Sequence, residues 1–196
     1  MVPVQLTGSR LTVREHHHTP EEVEALHALF GDPEVTRYLP FGPRTPEDCA
    51  DQLELYVEEA LAEPRRVYRL AVALREDPGA APIGQGSLFL GRHRSAHLGY
   101  ALRRDAWGLG HGGELARLLC GLAFGPLGVH RLVAVVEVGN PASSRVLTRL
   151  GFQLEGRLRH DVCKDGVWSD AFQYSLLSDE WQPSEAGSEA GSGAGG

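Results

Sequence analysis

The stretch WGLGHGGELARLL, residues 107–119, has a glycine spacing that could bind a phosphate. Gly108, Gly110 and Gly113 form G-x-G-x-x-G, the pattern that opens the helix of a dinucleotide-binding site. Glycines let the backbone approach a ligand closely, and the N–H groups of a helix beginning there favour an anion. An apolar run, RLVAVVEV, follows, with Glu137 near its end, where an acidic residue could hold a ribose. The stretch predicts a site for a dinucleotide or for another phosphate-bearing cofactor.

The surrounding sequence argues against the dinucleotide. In that fold the first glycine follows a strand almost directly, near the start of the domain. Here residues 103–107 intervene, about half of the chain precedes the motif, and one helix and one hairpin follow Glu137. A phosphate-loop nucleotidase is excluded because no Gly-Lys-Ser/Thr follows the glycines. A nucleotide-binding oxidoreductase is therefore the weakest of the functions considered.

The elements that position this stretch follow from apolar periodicity and capping residues. Thr19 and Thr45 each precede a proline and two acidic residues, as in a capping box, so a helix is expected after each. Further helices are expected from the glycines to Phe124 and from Asn140 to about Arg149. Strands are expected at Arg10–Glu15, Val67–Leu74, Ile83–Leu90, His97–Leu102 and Arg131–Val138, with two more within Phe152–Leu177 joined at Lys164-Asp165-Gly166. The order β-α-α-β-β-β-α-β-α-β-β predicts a three-layer α+β fold, with a mixed central sheet flanked by helices.

Composition limits the class of protein. With 196 residues, 42% hydrophobic and 23% charged, the chain is expected to form a single domain over residues 1–182. Residues 183–196, rich in Gly, Ser, Ala and Glu, are expected to be a disordered tail. The net charge of −7 argues against a nucleic-acid partner and suits a cationic substrate such as an amine.

Cysteines and apolar runs indicate the compartment. The three cysteines are widely spaced and are expected to be free thiols, and no run approaches the roughly 18 apolar residues of a membrane span. We therefore expect a cytoplasmic protein that does not bind membranes. The consecutive His16, His17 and His18 are expected at the surface without a metal, because neighbouring loop side chains rarely converge on one ion.

Five segments in order resemble the GCN5-related N-acetyltransferase (GNAT) family, in particular its branch of Rim-type ribosomal-protein N-terminal acetyltransferases. They are DPEVTRYLPFGP, LGYALRRDAWG, WGLGHG, NPASSRVLTRLGF and YSLLSDEW, and the resemblance covers roughly residues 10–181. The family's cofactor loop, Gln/Arg-x-x-Gly-x-Gly/Ala, is here Trp107 to Gly112, with the Trp that is usual in the Rim-like branch. The resemblance implies a mostly antiparallel sheet and acetyl-CoA as cosubstrate, without a metal.

The same resemblance implies which residues contact acetyl-CoA. They are Leu98, Tyr100, Leu102, Trp107, Gly108, Leu109, Gly110, His111, Gly112, Gly113, Asn140, Ser143 and Arg145.

The catalytic positions depart from the family's usual residues. Where relatives often carry a Glu just ahead of LGY, this chain has His97, which could serve as the general base, and Glu137 is a second candidate. Where many relatives carry an acidic Tyr hydroxyl, this chain has Leu147, which cannot donate a proton. The Ser thought to act in the Rim-type branch corresponds to Ser143, which could equally be a plain residue of the first helical turn.

The implied reaction is transfer of an acetyl group to a primary amine, by direct attack on the thioester. The amine belongs to a protein N-terminus or to a small molecule, and Tyr38 and Phe41 are expected to line its pocket. The missing Tyr and Glu keep open an alternative, a CoA-binding sensor or interaction module without catalysis. We expect a monomer or a homodimer.

Overall fold

One eight-stranded sheet organises the protein, in the order β1-β2-β3-β4-β5-β6-β8-β7. The computed structural model describes residues 3–77 and 79–183. The strands are β1 (Gln5–Thr7), β2 (Leu11–Glu15), β3 (Val67–Leu74), β4 (Gly84–Leu90), β5 (Ser95–Leu102), β6 (Arg131–Glu137), β7 (Gln153–Lys164) and β8 (Val167–Leu177). The helices are α1 (Pro20–Phe30), α2 (Pro33–Thr36), α3 (Pro46–Leu61), α4 (His111–Phe124) and α5 (Pro141–Arg149). The predicted α+β fold with a mixed sheet is confirmed.

Adjacent strands are antiparallel except for β5 and β6, which are parallel. Their ladder runs only from Ser95 opposite Arg131 to His97 opposite Val133, although the strands continue to Leu102 and Glu137. Within the described residues no ladder joins the remaining parts of these two strands. The strands therefore separate, and backbone N–H and C=O groups along both edges face a cleft.

Helices cover both faces of the sheet. On one face α4 packs on β2, β4 and β5, and its Leu115, Leu119 and Cys120 are fully buried in the main core. On the other face α1 and α3 pack on each other, and α3 packs on β3. A smaller apolar cluster lies under these helices and consists of Leu26, Leu29, Phe30, Val35, Cys49, Leu53 and Tyr56. The cleft between β5 and β6 lies beside this smaller cluster, because Ala101 of β5 packs against it.

Most predicted elements are confirmed, and three short ones were missed in the described residues, one of them the 3-10 turn Arg104–Ala106. The Asp-Gly turn is present, with Asp165 at φ 49° and Gly166 at φ 77°, the left-handed values that a two-residue hairpin turn requires. The structure adds β1, three residues long and largely exposed, and α2, a single turn with Asp32 as its cap and Pro33 as its first residue. Elements this short carry too few residues for a periodicity to show.

The two predicted capping boxes differ in the structure. At α3 the box is complete, because Thr45 Oγ1 accepts from Asp48 N and Asp48 accepts from Thr45 N. At α1 the Thr19 side chain accepts from Glu22 N, but the Glu22 carboxylate does not accept the reciprocal hydrogen bond from the Thr19 backbone N–H. It binds Arg14 and the backbone N–H of His17 instead, and His16 Nδ1 lies 3.0 Å from Glu22 Oε2.

The expectation that all three consecutive histidines lie at the surface is wrong for His16. His17 and His18 are exposed, whereas His16 is buried because it pairs with the buried Glu22 and packs beside the Tyr56 ring. Burial alone would raise the pKa of Glu22, but hydrogen bonds from His16, His17 N–H and Arg14 outweigh it and lower that pKa to about 2.

Two further expectations concern the C-terminal tail and membrane-spanning helices. The predicted tail lies, from residue 184 onward, outside the described residues. In the described part, no helix combines the length and the apolar character needed to cross a membrane.

Candidate active site

Two adjoining cavities open where β5 and β6 separate. The sheet cavity, about 650 Å³, lies over β4, β5 and β6 on the face covered by α1 and α3. The loop cavity, about 430 Å³, lies between the glycine loop 108–113 and α5. The residues that line both cavities are Tyr38, Leu39, Tyr100, Ala101, Asn140 and Ser143. Ligands in the two cavities would therefore meet at these residues, which we call the junction.

The glycine loop presents unpaired N–H groups to the loop cavity. Gly110 is the N-cap of α4 and has a left-handed conformation, φ 79° and ψ 2°, which a side chain at this position would disfavour. Among the described residues no side chain caps α4, whereas Thr45 caps α3 and Asn140 caps α5. The first-turn N–H groups of α4 are thus left for a ligand, and their orientation favours an anion.

Hydrogen bonds from Arg10 and Leu11, at the start of β2, hold this loop in place, and we call this group of contacts the clamp. The Arg10 guanidinium donates to the Leu109 carbonyl oxygen and, through Nε, to Glu114 Oε2 at 2.9 Å. The backbone N–H groups of Arg10 and Leu11 both donate to Glu114 Oε1. Burial would raise the pKa of Glu114, but these hydrogen bonds outweigh it and lower that pKa, so the carboxylate stays charged.

Positive charge on α5 faces the same cavity. Arg145 and Arg149, one helical turn apart, both line the loop cavity and are exposed. Within the described residues neither has a carboxylate at ion-pair distance. On the opposite wall Trp107 Nε1 donates to the Leu102 carbonyl oxygen at 2.7 Å, which fixes the entrance to the loop. Backbone N–H groups and two guanidinium groups together make a site suited to phosphates.

A hydroxyl pair occupies the junction. Tyr100 Oη lies 3.0 Å from Ser143 Oγ, and Ser143 N donates to Asn140 Oδ1, the cap of α5. Burial raises the pKa of Tyr100, and the hydrogen bond with Ser143 opposes part of the rise. Tyr100 therefore keeps its proton at neutral pH and can share it with Ser143.

The sheet cavity has aromatic walls and a polar floor. The Arg69 guanidinium stacks on Tyr56 and Phe89, at 4.8 and 5.0 Å from the ring centroids, and is paired with Glu59 at 2.9 Å. Gln85 and Ser87 alternate along β4, so both side chains point to the same face of the sheet. Tyr38 and Phe41, which the sequence analysis expects in the acceptor pocket, both line this cavity.

Carboxylates stand at the opposite end of this cavity from Arg69. Glu137, the last residue of β6, and Asp161 of β7 both line it. His97 lines neither cavity and is exposed. It is the last residue of β5 that still pairs with β6, and the cleft begins only beyond it. The geometry thus argues against direct proton transfer by His97, the first base candidate, and favours the second, Glu137.

The structure brings together most of the residues that the sequence associates with the cofactor. Those that line the loop cavity are Tyr100, Leu102, Trp107, Gly108, Gly110, His111, Gly112, Gly113, Asn140, Ser143 and Arg145. Leu98 lines the sheet cavity instead, and the exposed Leu109 lines neither, contributing its carbonyl oxygen to the Arg10 clamp.

Several lining residues were missed by sequence reasoning. They include Arg149 in the loop cavity and Arg44, Gln52, Tyr56, Arg69, Gln85, Ser87 and Asp161 in the sheet cavity. A signal exists only for Gln85 and Ser87, two polar residues inside an otherwise apolar strand.

The model of the Acetyltransferase (GNAT) domain matches residues 10–153, most of the chain. The chain belongs to the GNAT acetyltransferase family. This acetyltransferase is 32% identical to the N-acetyltransferase YoaA of Bacillus subtilis over 179 residues. The aligned region covers 90% of this chain and 98% of YoaA.

Two further comparisons place its fold and relatives. It is 32% identical over 129 residues to the L-methionine sulfoximine/L-methionine sulfone acetyltransferase of Pseudomonas aeruginosa, covering 64% of this chain and 72% of that relative. The structure of the ribosomal-protein-S5-alanine acetyltransferase from Vibrio fischeri superposes with a TM-score of 0.73, over 92% of this chain and all of that one, at 24% identity. At that identity the likeness concerns the fold. Together with the family match, these relatives show that the protein is an acyltransferase.

Proposed function

We propose that the protein moves the acetyl group of acetyl-CoA to a primary amine, with acetyl-CoA in the loop cavity and the amine in the sheet cavity. The observation that carries the proposal is the junction, where the two cavities share Tyr100, Asn140 and Ser143. Two substrates bound in adjoining cavities would present their reacting groups to each other there, which is how positioning accelerates a transfer.

The residues present fit acetyl-CoA. The uncapped start of α4, the left-handed Gly110 and the guanidinium groups of Arg145 and Arg149 would hold the phosphates. The free strand edges of β5 and β6 can pair with the amide groups of an extended ligand, as in strand addition. Bound there, the cosubstrate supplies an acetyl group activated as a thioester.

Glu137 is the proposed proton acceptor. An ammonium group cannot attack a carbonyl, so a base must first remove its proton. Glu137 lines the sheet cavity and ends β6, and its carbonyl oxygen accepts from Asn140 N, three residues before Ser143. The carboxylate thus stands beside the junction, where the amine must lose its proton.

Ser143 and Tyr100 are the proposed proton donors. Leu147, at the position where many relatives carry a Tyr, is fully buried and apolar. The hydroxyl of Tyr100 reaches the junction from β5 instead and shares a hydrogen bond with Ser143. Either hydroxyl can pass a proton to the departing thiolate, and the other can then replace it.

We also propose a branch of the family and a compartment for the protein. A Rim-like specificity is supported by the WG-x-G loop, and a reducing cytoplasmic location by Cys49, Cys120 and Cys163, which are unpaired. The protein N-terminus and the small-molecule amine both remain acceptors to test, since the relatives named above include one of each.

Calorimetry with acetyl-CoA and a thiol-release assay against a panel of amines test the proposal. We expect binding of acetyl-CoA and amine-dependent thiol release. Double-mutant analysis of Tyr100→Phe and Ser143→Ala should show coupled losses in kcat, because the two hydroxyls share one proton path. Binding without thiol release for any amine would favour the CoA-binding sensor, and absence of binding would reject the cofactor assignment.

A further inference from the structure

The charged side chains of the sheet cavity differ in whether a described residue of opposite charge pairs with them. Four charged side chains line it: Arg44, Arg69, Glu137 and Asp161. Arg69 is neutralised by Glu59 and held between two aromatic rings. Arg44 has no carboxylate at ion-pair distance among the described residues.

Hydrogen bonds to the backbone of Arg44 fix the position of this residue. Its N–H donates to the Phe30 carbonyl oxygen at 2.9 Å, and His27 Nδ1 lies 3.0 Å from its carbonyl oxygen. The guanidinium stacks on Phe41, 4.8 Å from the ring centroid, and within the part of the chain that the structure describes its buried Nε has no hydrogen-bond partner. Asp48 is near enough for Arg44 to lower its pKa, but hydrogen bonds from Thr45 N–H and hydroxyl, the larger causes, already engage it.

A second unpaired polar group faces the same cavity. Gln85 is 7% exposed, and its buried Oε1 has no hydrogen-bond partner among the described residues. Its register places it opposite Ala101, a junction residue. A buried polar group without a partner costs stability, so these two groups indicate a ligand that offers an acceptor to the Arg44 guanidinium and a donor to Gln85 Oε1.

We propose that the acceptor is a small amino acid or a related amine that carries a carboxylate, that Arg44 binds this carboxylate, and that Gln85 Oε1 accepts a hydrogen bond from the amine. A guanidinium is the side chain best matched to a carboxylate, whereas an amide oxygen only accepts and therefore suits an ammonium N–H. Glu137 and Asp161, which also line the cavity, offer negative charge to the same ammonium. This inference rests on the proposed function and narrows its acceptor.

The arrangement disfavours the other amines that the family resemblance allows. A polyamine would bring a second cation against Arg44, and a peptide N-terminus would bring a neutral amide to a site built for an anion. The overall charge of −7 does not decide this, because the groups inside the cavity act at shorter range than the surface charge.

Matched acceptors test the proposal on the wild-type protein. Thiol release is measured with free amino acids, the amides of the same amino acids, spermidine and a short peptide, with acetyl-CoA affinity measured in parallel. We expect kcat/KM for at least one free amino acid to exceed that of its amide by about tenfold or more. Intrinsic reactivity predicts the reverse, because the amine of an amide resembles a chain N-terminus, with a pKa of about 8, and is more often neutral.

Variants assign the preference to residues. In Arg44→Gln the ratio of kcat/KM for the acid over the amide should fall about tenfold or more, whereas Gln85→Met should lower kcat/KM for both acceptors and leave the ratio unchanged. Arg44→Glu should invert the ratio, because the new carboxylate repels the acid. Arg92→Gln is the control: Arg92 is exposed in the β4–β5 turn and lines neither cavity, so the ratio should stay.

The outcomes separate this inference from the proposed function. Turnover of spermidine or peptide alone, or of amides as fast as acids, overturns the inference and leaves the acetyltransferase proposal standing. A ratio unchanged in Arg44→Gln also overturns it, as does an unchanged kcat/KM for both acceptors in Gln85→Met. Loss of acetyl-CoA binding in the wild-type protein would overturn the proposed function itself.

Discussion

The two cavities are built in different ways. The loop cavity is formed largely by one continuous segment, whose glycines offer backbone N–H groups, with α5 as the facing wall. The sheet cavity takes side chains from α1, α3, α5, five strands and the segment between α1 and α3. A cosubstrate common to a family needs an unvarying backbone site, whereas an acceptor pocket made of side chains can change by single substitutions.

The cores behind the cavities differ as well. The glycine loop begins α4, whose buried face lies in the main core of 24 buried residues. The helices over the sheet cavity rest on a separate cluster of 7 buried residues. Less buried apolar area means lower local stability, so the acceptor side is expected to open more readily than the cofactor side.

The largest effect is expected at Glu137. Glu137→Gln keeps the shape of the side chain and removes the base, so kcat/KM should fall by about 10² or more while acetyl-CoA affinity stays. His97→Gln, outside both cavities, should lose less than about fivefold. A loss of about 10² in kcat/KM for His97→Gln, with less than about fivefold for Glu137→Gln, would identify His97 as the base. It would contradict the inference that a residue outside the β5–β6 cleft cannot take the proton.

The next effect concerns the acid stability of the acceptor side. The pKa of Glu22 is about 2 in the folded protein against 4.5 as its ordinary value. Because the folded value is depressed, the stabilisation is full above about pH 4.5 and is lost as pH falls toward 2, about 3 kcal/mol in all. Urea unfolding of wild type and Glu22→Gln should therefore give stabilities that differ at pH 6 and converge at pH 2.

Hydrogen exchange shows where that stability resides. Lowering the pH should reduce the protection factors, which correct for the slower intrinsic exchange, in α1 and α3 before α4, because Glu22 links α1 to the end of β2. Simultaneous loss of protection in all three helices would mean that the two cores unfold as one unit.

A tenfold effect is expected in the loop cavity. In Gly110→Val a side chain would have to adopt φ 79°, with its Cβ 3.2 Å from the Arg10 guanidinium. We expect acetyl-CoA affinity to fall at least about tenfold, roughly 1.4 kcal/mol, by calorimetry, with an unchanged circular dichroism spectrum. Gly121→Ala, further along α4 where an added Cβ meets open space, is the control. Unchanged affinity in Gly110→Val would contradict the loop assignment.

The smallest effect is expected from the clamp. Arg10→Met removes the hydrogen bonds to Leu109 and Glu114, but the backbone N–H groups of Arg10 and Leu11 still hold Glu114. Acetyl-CoA affinity should fall only about two- to fivefold, since the Arg10 side chain is half exposed. Arg75→Met, which removes a nearby hydrogen bond to Gly8 without touching the loop, should leave it unchanged.

The residues predicted correctly are those whose surroundings are local in the chain. Asn140 caps α5 and accepts from Ser143 N, three residues away, as the spacing predicts. His16 and Arg44 were beyond such reasoning. His16 is buried because it pairs with the Glu22 carboxylate, which the capping pattern predicts to bind the start of α1 instead. Arg44 lines a cavity whose other walls come from strands that are distant in the sequence.

The sequence by itself determined the helix starts, the Asp-Gly hairpin and the glycine loop, because each depends on backbone conformations that a few neighbouring residues select. Only the tertiary structure decided which side chains meet. The β5–β6 ladder stops at His97 and Val133, which leaves His97 outside the cleft and Glu137 within the cavity lining. Tyr100 and Ser143, 43 residues apart, come within 3.0 Å for the same reason. Strand register and separation arise from the packing of the whole sheet, which no local pattern encodes.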